Sequence, residues 1–193
     1  MGIGIGIERI NGFLWSPAET FEASKEETLS DAYVYCFPLL VIFSVLLAVI
    51  IGIVLANPVA QSILGMRPDS ELLKIITLMS ASGIILGGTV GVLIAGIWMH
   101  IWAYAFGGRN GLEQTIKVLL YAATPLLVLG WIPVIGTVIG AIWSLLLLLT
   151  GLMHLQGMYS GRAILALVAS LLVPVVIIGI IAAVFGPAML THI

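Results

Sequence analysis

Residues 118–161 contain no Asp, Glu, Lys or Arg, and this run limits the possible folds more than any other feature of the chain. As one α-helix the run would be about 65 Å long, roughly twice the hydrocarbon thickness of a bilayer. The chain must therefore turn back within it, and Pro133 and Gly136 mark the place. The run predicts an apolar helical hairpin, with residues 118–130 entering and residues 134–152 returning.

The composition is that of a membrane protein. Of 193 residues, 61% are hydrophobic and 8% are charged, and the mean hydropathy is +1.23. Soluble domains carry about a quarter charged residues, so we predict an all-α, polytopic transmembrane helical bundle in contact with the lipid bilayer. The net charge of −2 argues against a nucleic-acid partner, which would need clustered Lys and Arg.

Three further apolar runs complete the predicted bundle. The first span covers residues 32–56 and stops at Asn57 and Pro58. Pro68 and Asp69 begin the second helix, whose uncharged run covers residues 75–108. The last span covers residues 163–184. With the two arms of the hairpin, the sequence predicts five spans in a transmembrane domain of residues 32–193.

Residues 1–31 are predicted to be a cytoplasmic segment with one short amphipathic helix. Ser16 is expected to be its N-cap, Pro17 its first residue and Glu19 the partner in a capping box, and the helix should reach about Asp31. Its polar face is acidic, whereas a helix that binds anionic lipid is basic there. We therefore expect this helix to lie beside the membrane or against the bundle.

Lysine and arginine in the short loops predict the orientation in the cell membrane. A cytoplasmic N-terminus puts five of them inside and two outside, which favours this orientation and an external C-terminus at Ile193. The inner residues are Arg9, Lys25, Arg109, Lys117 and Arg162, and the outer residues are Arg67 and Lys74.

Two structures fit the hairpin. Residues 118–130 make only about 20 Å of helix against a hydrocarbon core of about 30 Å, and Pro125 interrupts them. The hairpin therefore either spans fully or is re-entrant, with its turn inside the membrane. Full spans are favoured, because no charged residue supports a wet cavity around such a turn and residues 112–117 extend the third helix.

Small residues recur every four positions on two of the predicted spans, so each set shares one helix face. They either pack against neighbouring helices or line a solute path with backbone, and packing is favoured because such faces are common in membrane bundles. The first set is Gly83, Gly87, Gly91 and Ala95, and the second is Gly136, Gly140 and Ser144.

Polar side chains near membrane depth concentrate at the cytoplasmic boundary, where they form a candidate interaction cluster. Its members are His100, Tyr104, Arg109, His154, Gln156, Tyr159 and Arg162. A two-histidine metal site is the alternative, but no Asp, Glu or Cys accompanies the histidines at ligand spacing. We expect interfacial anchors and no metal or other cofactor.

The sequence contains no motif that predicts catalysis. It has no His-Glu-x-x-His, Gly-x-Ser-x-Gly or P-loop pattern. No carboxylate lies inside a predicted span, which argues against an ion-coupled transporter. We therefore expect a protein that is not an enzyme.

Loose motifs spread over nearly the whole chain resemble the Yip1 domain family, and its prokaryotic branch more closely. They are Phe13-Leu14-Trp15-Ser16-Pro17, Phe21, Phe106-Gly107-Gly108, Pro125, Pro133, Ile135-Gly136, Trp143, and Gly151 to His154 leading to Ser160-Gly161-Arg162-Ala163. The resemblance implies five spans, a cytoplasmic N-terminus, and a non-enzymatic role in membrane organisation or trafficking with contacts to other membrane proteins. It carries over no catalytic residue.

Two functions from different classes follow. The first is a scaffold or adaptor that associates with itself or with other membrane proteins through its glycine faces and presents its cytoplasmic loops. The second is a channel or transporter for a small solute, which would need satisfied polar groups at the bilayer midplane. The polarity of the spans favours the first.

Overall fold

The computed structural model describes residues 3–65 and 68–190, with side chains for residues 6–65 and 68–179. Arg67 and Ile193, which the predicted orientation used, lie outside the described residues. The described parts of the chain form helices and no strand, as predicted. These are α1 (Ile3–Trp15), α2 (Pro17–Ala23), α3 (Leu29–Ala56), α4 (Pro58–Leu64), α5 (Ser70–Ala105), α6 (Gly111–Ala122), α7 (Thr124–Leu129), α8 (Ile135–Leu155) and α9 (Ser160–Leu190).

Five helical segments are long and apolar enough to cross a membrane, which confirms the predicted number of candidate spans. They are Leu29–Ala56, Ser70–Ala105, Gly111–Leu129, Ile135–Leu155 and Ser160–Gly179. The third segment is α6 followed by α7, and the helix breaks at Ala123 because Pro125 lacks the amide hydrogen that would continue it.

The predicted end of the first span and the predicted start of the second helix are correct. Asn57 ends α3 and then caps α4, because its side-chain oxygen accepts a hydrogen bond from the amide of Val59 at 2.9 Å. Asp69 caps α5 in the same way through the amide of Leu72 at 2.8 Å. Caps of this kind satisfy amides that have no partner inside the helix.

The N-terminal segment differs from the prediction in two ways. Residues 3–15 form a helix of their own, and the helix that begins at Pro17 ends at Ala23 rather than near Asp31. Ser16 makes no side-chain capping bond. The capping box lies instead at Thr28 and Asp31, whose side chains bond each other's backbone amides at the start of α3.

Helices α1 and α2 fold back on each other, and we call them the N-terminal hairpin (residues 3–23). Phe13 and Phe21 are fully buried and contact edge to face, with ring centroids 5.1 Å apart. Phe13 also stacks on Tyr121 of α6 at 4.9 Å. Of the two expected placements, the hairpin therefore takes the one against the bundle.

Helix α6 lies at the centre of the bundle and packs against α3, α5 and α8. Its buried residues include Ile116, Val118, Leu120 and Tyr121. Helix α7 packs against α8, and α9 packs against α5 and α8. The polar Thr115 and Lys117 of α6 are buried as well, so the centre of the bundle holds polar groups that need partners.

One of the two predicted glycine faces makes no close helix contact within the described residues. A Cβ atom at Gly83, Gly87 or Gly91 would meet no atom there within 4 Å, so a close approach of helices in this part of the bundle does not depend on these glycines. The close contacts of α5 are made by Gly88 and Gly96, each of which directly follows a member of the predicted face in sequence. A Cβ at Gly88 would lie 2.9 Å from Leu40, and one at Gly96 would lie 2.6 Å from Ile116.

The second face does lie against a neighbouring helix. A Cβ at Gly140 would lie 3.0 Å from both the carbonyl oxygen of Pro125 and the Cα of Leu126. Gly136 is buried close to Leu129 and Ile132. These two glycines let α8 approach α7 at backbone distance. Ser144 lies partly buried further along, and its hydroxyl has no hydrogen-bond partner among the described residues.

Candidate functional site

Two polar clusters lie at the end of the bundle where α3, α6 and α9 begin and α5 and α8 end. We call this the N-terminal end. One cluster contains part of the predicted set of polar residues. The other lies under the N-terminal hairpin and was not predicted.

Gln156 organises the first cluster. Its side chain is 2% exposed, and its amide nitrogen donates to the Thr115 hydroxyl and to the carbonyl oxygen of Gly111, both at 2.7 Å. His100 lies 2.9 Å from the same hydroxyl through its Nδ1. The cluster therefore joins α5, α6 and the end of α8.

The loop before α6 closes on the same side chain. The Asn110 amide donates to the Gln156 side-chain oxygen at 3.2 Å, and the Asn110 side chain donates to the carbonyl oxygen of Leu155 at 2.7 Å. These four side chains, which we call the glutamine cluster (His100, Asn110, Thr115, Gln156), connect the ends of α5 and α8 to the start of α6.

The other predicted members do not join the glutamine cluster. Arg109 lies over the ring of Tyr104 at 4.1 Å, and His154 bonds the Thr150 carbonyl oxygen of its own helix at 2.9 Å. Tyr159 is 80% exposed, and Arg162 lies against the loop at Gly107. Within the described residues, no three His, Cys, Asp or Glu side chains lie close enough to hold a metal ion.

The second cluster surrounds Arg9, and we call it the arginine cluster (Arg9, Glu27, Tyr35, Tyr121). The side chain of Arg9 is 11% exposed and pairs with the carboxylate of Glu27. Its guanidinium lies over the rings of Tyr35 and Tyr121, at 4.7 and 4.9 Å from their centroids. The Tyr121 hydroxyl donates to the same carboxylate. A desolvated cation is stabilised by both kinds of contact.

Lys117 fixes the segment that leads into the first span. Its side chain is fully buried, and its Nζ donates to the carbonyl oxygens of Lys25 at 2.9 Å and of Glu27 at 2.6 Å. The carboxylate of Glu113 accepts the Leu29 amide at 3.0 Å. The Gln114 side-chain amide also donates to the Lys25 carbonyl oxygen, at 3.3 Å, so helix α6 holds the connection between α2 and α3 by three side chains.

In the sequence, Arg9 and Lys117 indicate orientation as loop charges, and neither of their contacts was predicted. The available signal was the position of Lys117, a single cation that directly precedes an uncharged run. A lone cation at such a place needs either water or carbonyl partners. Arg9 carried a similar signal as the only cation in the first 24 residues.

The outer face of the N-terminal hairpin is acidic. Glu8 of α1, Glu19 and Glu22 of α2, and Glu26 just after α2 are all exposed. Within the described residues, the ion pair that any of them makes is the solvent-exposed pair of Glu22 with Lys25. The buried side of the hairpin is aromatic and cationic, so its charges are separated by face. This arrangement gives a fixed acidic surface on an apolar bundle and assembles no nucleophile with a base.

Comparison with known proteins gives one match. A family model described as the Yip1 domain matches residues 11–184, from within α1 to within α9. The matched part includes the whole glutamine cluster and, apart from Arg9, the arginine cluster. No curated protein and no solved structure matches the chain.

Proposed function

Because the chain belongs to the Yip1 domain family, we propose that this integral membrane protein is a non-enzymatic adaptor in membrane organisation. We infer that it binds other membrane proteins or membrane-associated proteins through the acidic face of its N-terminal hairpin. The observation that carries the proposal is the attachment of this hairpin. Arg9, Phe13, Phe21 and Lys117 connect it to the spans, so it is a part of the membrane domain that presents one fixed surface.

The attachment matters because a flexible segment loses entropy when it binds, whereas a surface already held in place does not. Phe13 and Phe21 are fully buried under the hairpin. Glu19, Glu22 and Glu26 then point away from the bundle. A partner with a basic segment complements this surface in charge, which favours encounter and register.

We propose that this surface faces the cytoplasm and that the protein lies in the cell membrane. The support is the excess of Lys and Arg at the N-terminal end. Five of these residues lie there (Arg9, Lys25, Arg109, Lys117 and Arg162), whereas Lys74 lies at the opposite end. We further propose that the outward glycines Gly83, Gly87 and Gly91 serve contact with a helix of a second copy or of another membrane protein.

Charge reversal tests the adaptor proposal. A triple variant with Glu19→Lys, Glu22→Lys and Glu26→Lys should lose at least tenfold in the yield of partners captured by cross-linking in native membranes, with unchanged thermal stability in detergent. Glu71→Lys at the opposite end is the matched control and should retain capture. Equal capture by the triple variant and the wild type would exclude the hairpin face as the docking surface.

A flux assay separates the adaptor from the solute channel or transporter. Purified protein in liposomes should release an entrapped small solute no faster than empty liposomes. Release that rises with the protein-to-lipid ratio would replace the adaptor proposal with transport.

A further inference from the structure

Contacts between helices place the turn between α7 and α8 near the middle of the first two spans. Leu127, close to the end of α7, borders a cavity of about 130 Å³ that Leu40 of α3 and Gly88 of α5 also line. Leu40 and Gly88 are in direct contact, because a Cβ at Gly88 would lie 2.9 Å from the Leu40 side chain. These three residues therefore lie at one level along the bundle, and the turn begins just three residues beyond Leu127, at Gly130.

Helices α3 and α5 continue far past that level. From Leu40 to its end at Ala56, α3 runs on for about 24 Å at 1.5 Å per residue. It stays paired with α5 along this stretch, since a Cβ at Gly52 would lie 2.9 Å from the Thr77 hydroxyl. The turn at residues 130–136 therefore ends about 15 to 20 Å short of the far end of the α3–α5 pair.

The continuing part of α3 and α5 has the surface of a lipid-embedded helix. Ile53, Leu78 and Met79 are 65%, 70% and 68% exposed, and the first charged side chain in this direction is Lys74. A hydrocarbon core of about 30 Å that begins near Lys74 covers about twenty residues of α5, to about Ile94. Measured along α5, the turn lies about four residues from Gly88 in the direction of Lys74, which is close to the middle of this core.

The turn itself suits such a position. Ile132, Val134 and Ile135 are exposed, and residues 130–136 include no charged side chain. Both polar side chains at the turn bond to backbone of the turn or of the end of α7. The Thr137 hydroxyl donates to the carbonyl oxygen of Gly130 at 2.9 Å, and the Trp131 indole donates to that of Val128 at 2.9 Å.

Backbone bonds inside the turn complete the pattern. The amide of Ile135 donates to the carbonyl oxygen of Pro133 at 2.8 Å, and the amide of Thr137 donates to that of Ile132 at 3.2 Å. The first of these closes a γ-turn at Val134, which has φ 64° and ψ −71°. Irregular backbone is excluded from lipid because unpaired amides and carbonyls cost several kcal/mol each, and bonds of this kind remove much of that cost.

We propose that residues 130–136 form a re-entrant turn in contact with lipid acyl chains near the middle of the bilayer. On this proposal α3, α5 and α9 cross the membrane completely, whereas the hairpin of α6, α7 and α8 enters from the N-terminal end and returns to it. For this hairpin the proposal takes the re-entrant alternative, whereas the sequence alone favours a full crossing. The observations that decide it are the level of Leu127 and the internal bonding of the turn.

Single cysteines test the depth of the turn. Cys36 is the only cysteine, so Cys36→Ser gives the background, and Ile135→Cys probes the turn. Ser62→Cys in α4 and Tyr159→Cys, which is 80% exposed in the wild type, mark the two membrane surfaces. Open membrane fragments expose both surfaces to a charged maleimide. Both surface sites should react at least tenfold faster than Ile135→Cys, and detergent denaturation should remove the difference.

A rate at Ile135→Cys within threefold of that at Ser62→Cys would overturn the proposal. If the rate at Ile135→Cys is intermediate, fluorescence quenching at two depths in the bilayer decides between the two positions of the turn. A fluorophore on Ile135→Cys in liposomes should be quenched more by a nitroxide deep in the acyl chain than by one at the headgroup, and the reverse order would overturn the proposal. Ile132→Cys is a second turn site and serves if the first variant does not fold.

Discussion

The Nζ of Lys117 lies 2.6 Å from the carbonyl oxygen of Glu27. A cation on the third apolar segment thus holds the residues that precede the first one, although 90 positions separate the two in sequence. The same Nζ also bonds the carbonyl oxygen of Lys25. The N-terminal hairpin and the bundle are therefore one structural unit at this point, and each side can be tested through the other.

Lys117→Met should loosen the N-terminal hairpin. Methionine keeps the apolar stem, but the carbonyl oxygens of Lys25 and Glu27 lose their charged donor, which costs about 2 kcal/mol. We expect faster cleavage at residues 24–28 in limited proteolysis and a lower midpoint of thermal unfolding in detergent. Lys74→Met, at an exposed site, is the matched control. Equal cleavage rates for Lys117→Met and the control would contradict this role.

Arg9 and Glu27 should be coupled in a double-mutant cycle. Arg9→Met leaves the Glu27 carboxylate without its guanidinium partner, and Glu27→Gln leaves the guanidinium between two tyrosine rings. The losses of stability of the two single variants should add up to more than the loss of the double variant, because either substitution alone already breaks the ion pair. Because the Glu27 side chain is 31% exposed, we expect a coupling energy of about 1 kcal/mol rather than that of a dry pair. Additive losses of thermal stability would show that the ion pair contributes nothing.

Gln156→Leu should separate the helix ends that the glutamine cluster joins. Leucine is of similar size but leaves the Gly111 carbonyl oxygen, the Asn110 amide and the Thr115 hydroxyl each with one partner fewer. We expect a loss of about 2 to 3 kcal/mol in stability. Gln61→Leu is the control, because Gln61 makes a single bond to the Leu55 carbonyl oxygen at the other end of the bundle. Detergent unfolding midpoints compare the two.

The end of α3 and the start of α5 could be predicted from the sequence because local chemistry sets them. Asn57 with Pro58, and Pro68 with Asp69, are caps whose function needs only neighbouring residues. The start of α3 shows the limit of this reasoning. Two pairs, Ser16 with Glu19 and Thr28 with Asp31, have capping-box spacing, but Ser16 makes no side-chain cap bond and the box forms at Thr28.

Helix α1 and the choice of glycine face could not be predicted in this way. Glycine has a low helix propensity, so the Gly-Ile repeats of α1 gave no helix signal, and the burial of Phe13 is a tertiary effect. On α5, both Gly83 with Gly87 and Gly88 with Gly96 lie in apolar surroundings. Lipid is as apolar as leucine, so hydropathy does not indicate which face meets protein.

Alanine at two glycines should separate the packed face from the open one. Gly140→Ala places a Cβ 3.0 Å from backbone atoms of Pro125 and Leu126, which have little freedom to move, so we expect a loss of about 1 to 3 kcal/mol. Gly87→Ala meets no atom within 4 Å and gains about 0.5 kcal/mol from helix propensity. Thermal unfolding in detergent should move in opposite directions. A drop for Gly87→Ala in the monomer would contradict the open face.

Thr137→Val tests whether the turn before α8 depends on its internal hydrogen bonds. Valine matches threonine in shape, but the carbonyl oxygen of Gly130 then loses its donor at a place where the helix supplies none. Thr150→Val is the control, because the Thr150 hydroxyl bonds the Leu146 carbonyl oxygen at 2.9 Å within a continuous helix, where that oxygen can also accept an amide. We expect Thr137→Val to cost about 1 to 2 kcal/mol and Thr150→Val to cost little.

The difference between their unfolding midpoints should be larger in lipid bilayers than in detergent, because detergent admits water to the exposed turn. Equal midpoints for the two variants in both media would mean that the hydroxyl of Thr137 is dispensable and that water already reaches Gly130.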